Sequence, residues 1–172
     1  MRIEPGNTIV GFIGLGVMGH SMAGHILDAG YDLHIYTRTK DKAKNIISKG
    51  AVWEDTISGL SKKCDLIITT GGLSVDPDDV TRQGVITAGA DITFYGSPVL
   101  PGAMLMVSQL GDIPVISLPA CVFYYQKTVF DLIFPRVLAG ETINEDDIAA
   151  MGHGGLCMNC EVCHYPVCSF GR

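Results

Sequence analysis

No apolar run in this chain approaches the ~20 residues that a membrane-crossing helix needs, so no membrane partner is expected. Positive charge is in short supply: 12 Lys and Arg stand against 18 Asp and Glu, for a net charge of −6. A nucleic-acid partner, which needs a basic face for phosphate contacts, is thereby excluded. The opening residues, MRIEPGNT, contain a Pro-Gly pair and no apolar signal core, which points to the cytoplasm. In that reducing setting the six cysteines do not read as a disulfide framework. Internal repeats and low-complexity linkers are also missing. Apolar residues are plentiful, however, at 47%, and 172 residues suffice for one packed domain with a small appendage.

What is present is an alternation of strand and helix patterns. NTIVGFIGLG reads as a buried strand running into a glycine turn. Met18, Met22 and Ile26 repeat at helical spacing, with Gly30 placed to end that helix. DLHIYT is a second strand, KDKAKNIISKG a short helix, AVWE a third strand and 55–63 another short helix. CDLIITT is a fourth strand, ending in GGLSVDPDDVT. A helix over about 78–88 and the strand DITFY follow. Residues 103–118 predict a hairpin reversing at Gly111-Asp112, and CVFYYQKTVFDLIFPRVLAG a single longer helix kinked at Pro135. Thr142 and Glu145 form a capping-box pattern at the start of a last helix. The alternation specifies an α/β fold, a doubly wound, mainly parallel, Rossmann-like sheet. It ends in a β-hairpin region, a helix and a Cys-rich tail. One α/β domain over 1–150, with halves 1–68 and 69–150, and a tail over 151–172 are expected.

Gly14-Leu15-Gly16-Val17-Met18-Gly19 follows a strand and opens a helix, the setting a dinucleotide fingerprint requires. Gly14 makes the tight turn, Gly16 lets a pyrophosphate approach the backbone, and Gly19 lets helix and strand pack closely. Free N–H groups and the dipole at the helix start then hold the phosphate charge. The second strand ends in Tyr36, Thr37, Arg38 and Thr39, without the acid that an NAD ribose prefers. Arg38 between two hydroxyls suits a 2′-phosphate, so NADP is the expected cofactor. From Ile9 to about Ile68 the chain resembles the 3-hydroxyisobutyrate (β-hydroxyacid) dehydrogenase family, in GFIGLGVMGHSMAGHIL, with Met18, Met22 and His25, and in YTRT. The resemblance implies NADP on Gly14, Gly16, Gly19 and Arg38. That family's Ser-Gly-Gly substrate loop and catalytic lysine helix have no counterpart here, so an NADP-binding module without complete hydride-transfer catalysis is expected.

The loop after the fourth strand is a second candidate. A Gly-Gly-x-Ser turn exposes backbone N–H groups and a hydroxyl to an anion, and a nearby carboxylate suits a hard cation. An ordinary βα turn with acidic helix-capping residues fits the same pattern. From DLIITTGGLS onward, through PVLPGAMLMV and PVISLPACVFYYQKTVFDLIFPRVL, the chain resembles the molybdopterin-binding domain of molybdenum cofactor biosynthesis proteins. That resemblance implies a molybdopterin with Mg on Gly71, Gly72, Ser74 and Asp79. The chain departs from it where Ala120 replaces a glycine of the family's turn. The ligand is then a small nucleotide or a pterin, and a folded scaffold without ligand is the third reading.

Cys157, Cys160, Cys163 and Cys168 are spaced C-x2-C-x2-C-x4-C, and four thiolates so close are able to surround a metal. Zinc and an iron–sulfur cluster both suit the spacing. Without a metal, a segment this poor in periodic apolar residues is expected to be mobile. Cys64 and Cys121 lie in apolar stretches and read as buried thiols. His20, His25 and His34 read as structural or solvated, and Lys127 belongs to no motif.

Overall fold

The computed structural model describes residues 3–74 and 76–172; Met1, Arg2 and Val75, the last inside the second glycine loop, lie outside it. The strands are β1 (Ile9–Ile13), β2 (Asp32–Tyr36), β3 (Val52–Trp53), β4 (Leu66–Thr70), β5 (Asp91–Tyr95), β6 (Met106–Leu110) and β7 (Ile113–Leu118). They form one sheet in the order β3-β2-β1-β4-β7-β6-β5. Pairing is parallel from β3 to β7, and β6 runs antiparallel to both of its neighbours. The mainly parallel α/β sheet expected from the alternation is what forms, and the hairpin reverses at Gly111-Asp112 as expected.

The helices are α1 (Val17–Asp28), α2 (Lys44–Ser48), α3 (Ile57–Ser61), α4 (Thr81–Thr87), α5 (Val129–Leu138) and α6 (Glu145–Ala150). Successive strand residues point to opposite faces, so each face acquires its own core. Phe12, Ile35, Ile68 and Ile116 belong to the larger one; Ile67 and Val115 join Leu60 and Cys64 in the smaller. Burial pushes the Cys64 thiol up to about 12, the behaviour of an inert core thiol. Cys121 is only half-buried, in the short 3-10 turn Ala120–Phe123, and not in the core as expected.

Three helix boundaries differ from expectation, each beside a local polar contact. The long helix from Cys121 is interrupted, and α5 begins only at Val129. Thr128 caps it by accepting from the Phe130 N–H at 3.2 Å, while Asp131 accepts from the Thr128 N–H at 2.8 Å. The last helix starts from Asn144, reciprocally capped with Asp147 at 3.0 and 2.9 Å, and not from Thr142 with Glu145. Finally, α4 begins at Thr81, and the Asp79 carboxylate ahead of it accepts from the Ser74 N–H at 2.6 Å.

The tail is docked on the sheet domain. Leu100 pairs with Leu156, and the Cys157 N–H donates to the Leu100 carbonyl at 2.8 Å. Phe170 is buried in the larger core. Pro135 lacks the N–H that would bond the Asp131 carbonyl inside α5. The Tyr165 hydroxyl of the tail donates to that carbonyl at 3.1 Å.

Candidate nucleotide-binding crevice

The sheet order reverses between β1 and β4. After β1 the chain crosses to β2 on one side; β4 leads to the strands on the other. Open α/β sheets bind ligands at such a reversal, beyond the carboxyl ends of the strands. Both glycine loops lie there side by side. Gly14 turns at φ +102°, and its N–H donates to the Tyr36 carbonyl at 3.0 Å, tying the turn to the end of β2. The Thr70 hydroxyl, at the end of β4, donates to the Gly14 carbonyl at 2.7 Å.

The remaining glycines of the first loop do different things. A Cβ at Gly19 would overlap the Gly14 carbonyl oxygen, so α1 packs on the turn only without a side chain there. A Cβ at Gly16 would meet nothing within 4 Å. Gly16 is the N-cap of α1, with no side-chain cap and no acid in the first turn. The first amides of the helix are left to an anion from outside. Leu15 is buried beneath the turn; Val17 stands 90% exposed at its mouth, beside the half-buried Met18.

Thr37, Arg38 and Thr39 follow β2 on the same rim, with Arg38 and Thr39 exposed and Thr37 half-buried. Among the described residues Arg38 has no ion-pair or side-chain hydrogen-bond partner. Next to it, Lys40 lies 5.0 Å from the centre of the Trp53 ring, which stacks on Tyr36 at 6.0 Å. Beneath this wall is a buried acid that sequence reasoning passed over. Glu54 accepts from Lys63 at 2.8 and 2.9 Å and bonds His34 at 2.7 Å. The Lys63 ammonium, and secondarily His34, hold its carboxyl below the usual range, against its burial. His34 is thus structural, as expected. Thr70 was missed too; its one signal is a hydroxyl immediately before the Gly-Gly turn.

The second loop serves its own architecture. Gly71 and Gly72 both have positive φ, the Thr81 hydroxyl donates to the Gly71 carbonyl at 2.7 Å, and Gly72 packs on Thr81. Ser74 and Asp79 bond each other as described. The expected magnesium has no prepared ligand set here. Among the described residues, no three His, Cys, Asp or Glu side chains stand together to hold an ion, those of Cys157, Cys160, Cys163 and Cys168 included. No described helix is long and apolar enough to cross a membrane.

Comparison with known proteins settles what the first loop belongs to. Residues 9–95 match the model of the NAD binding domain of 6-phosphogluconate dehydrogenase. The chain belongs to this family. The match runs on through DLIITTGGLS, where the molybdopterin resemblance begins, and takes in the second glycine loop, α4 and β5. The uncharacterized oxidoreductase YkwC of Bacillus subtilis is 56% identical over 71 residues, covering 41% of this chain and 25% of that protein. The mitochondrial 3-hydroxyisobutyrate dehydrogenase of Drosophila melanogaster is 35% identical over 89 residues, covering 49% and 28%. A reductive aminase from Aspergillus terreus in complex with NADPH and ethyl-5-oxohexanoate is 31% identical, covering 37% and 22%, with a TM-score of 0.36. The chain thus spans between 22% and 39% of the length of the curated relatives it matches. It carries an NAD(P)-binding Rossmann domain related to the hydroxyacid dehydrogenases.

Proposed function

We propose that the chain binds NADP(H) in preference to NAD(H) and lends it, as a binding module, to an oxidoreductase of the hydroxyacid dehydrogenase kind. The observation that carries the preference is the exposed Arg38 after β2, without an ion-pair or side-chain hydrogen-bond partner among the described residues, in a segment, Tyr36 to Thr39, that has no acid to receive a ribose hydroxyl. Its guanidinium forks onto a 2′-phosphate, with the Thr37 and Thr39 hydroxyls as further donors. The open space over Gly16 admits the pyrophosphate to the amides of α1. The bound cofactor supplies hydride chemistry. This chain's own residues bind and orient it; none of its side chains is assigned a proton-transfer role.

Titration of NADPH and NADH by cofactor fluorescence tests the reading. NADPH binds at least tenfold tighter, and Arg38→Ala removes the difference while leaving NADH affinity unchanged. Equal affinities in the unaltered chain overturn the preference. A pterin on the second loop is a second reading, favoured by the open space around Gly71, whose backbone a ligand is able to approach. Pterin fluorescence copurifying with the chain, and lost in Asp79→Asn, supports it.

A further inference from the structure

The C-terminal cysteines belong to neither glycine loop, and they share one cavity. All four are free, and all four line one cavity of about 110 Å³, with His164 at its wall and Lys127 beside it. Asn159, between Cys157 and Cys160, adopts φ +48°, in the left-handed region. The cavity's floor is fixed to the domain. Cys157 is held through its N–H by Leu100, Tyr165 bonds Asp131, and Phe170 is buried. Cys157 and Cys168 are half-buried on that floor, whereas Cys160 and Cys163 ride on an exposed turn above it.

We propose that Cys157, Cys160, Cys163 and Cys168 form a tetrahedral thiolate site for a single thiophilic divalent ion of zinc type, completed when the exposed turn folds inward. The ligand set is not preassembled, so binding energy goes into closing the turn. Four S–H groups lose their protons to solvent, four metal–sulfur bonds form, and no electron is transferred. The bound ion leaves a net charge of two minus on the thiolate set, and the Lys127 ammonium at the cavity offsets part of it.

The test is cobalt(II) titration of the reduced full chain, with zinc as competitor. One equivalent gives intense thiolate-to-cobalt charge-transfer absorption that zinc abolishes, and uptake strengthens as pH rises. The double variant Cys160→Ser, Cys163→Ser binds at least a hundredfold more weakly with an unchanged far-ultraviolet circular dichroism spectrum. No charge-transfer band from a chain whose six thiols titrate in denaturant overturns the site. So does equal uptake by the double variant. A brown chromophore after anaerobic purification overturns the single-ion assignment. NADPH binding plays no part in these readouts, so the two proposals fail separately.

Discussion

Thr70 donates its hydroxyl to the Gly14 carbonyl at 2.7 Å, joining the end of β4 to the turn after β1. The Gly14 N–H is already committed to Tyr36, so the turn is pinned from both neighbouring strands. Thr70→Val preserves the shape and deletes the bond, costing about 1 kcal/mol of stability. NADPH affinity falls several-fold because the turn is no longer held. Denaturant unfolding and calorimetric titration measure the two effects, and an unchanged affinity would show that Tyr36 alone holds the turn.

The two remaining glycines of the fingerprint separate folding from binding. Gly19→Ala places a methyl against the Gly14 carbonyl and 2.8 Å from the Thr70 hydroxyl oxygen, so the protein loses thermal stability or fails to fold. Gly16→Ala meets open space and changes the melting temperature little. It weakens NADPH at least tenfold, ~1.4 kcal/mol, by keeping the pyrophosphate off the helix. Melting curves and titrations of both variants check the contrast.

Glu54 gives the fold an acid-sensitive bond set. Its carboxyl is held below the ordinary range, so its contribution is complete above the ordinary carboxylate pKa of ~4.3 and is lost as pH falls through the depressed value. Glu54→Gln lowers the neutral-pH melting temperature by roughly 5 °C. The gap between variant and unaltered chain then narrows below the ordinary carboxylate range. A pH series of urea unfolding curves reads this out; a gap that stays constant into acid refutes it.

Tyr165 and Pro135 are coupled through a carbonyl that neither owns. Tyr165→Phe strands the Asp131 carbonyl and costs about 1 kcal/mol. In a Pro135→Ala background α5 supplies its own N–H to that carbonyl, and the cost of Tyr165→Phe shrinks. A double-mutant cycle measures the coupling: the double variant loses less stability than the two single variants together.

Strand positions and the first glycine loop were legible because they rest on local chemistry. IVGFI, DLHIY and LIITT have the apolar content of buried strands, and Gly14, Gly16 and Gly19 occur at an interval with one structural use. Helix ends were less legible, because several capping residues compete nearby. Asn144 prevails over Thr142 two residues away, and Asp131 lends Thr128 a cap inside a run that otherwise reads as continuous helix. The docking of the tail was not legible at all. It depends on Phe170 and Tyr165 finding partners in the larger core and on α5, far away in the chain, and no periodicity records such contacts. Glu54 escaped notice for a similar reason: its partners, His34 and Lys63, come from separate elements.

The position of β4 decides how the chain tolerates being cut. This strand bonds β1 along one side and β7 along the other. A fragment ending at Thr70 keeps the whole Gly14–Gly19 turn, yet strips β4 of a partner. It bares a ladder of unsatisfied amides and carbonyls on the apolar sequence LIITT, without a proline or a charge to discourage pairing with another copy. Excising the nucleotide-binding half in search of a minimal cofactor domain therefore yields insoluble, self-associating material, whereas fragments that retain the hairpin through Leu118 stay dispersed.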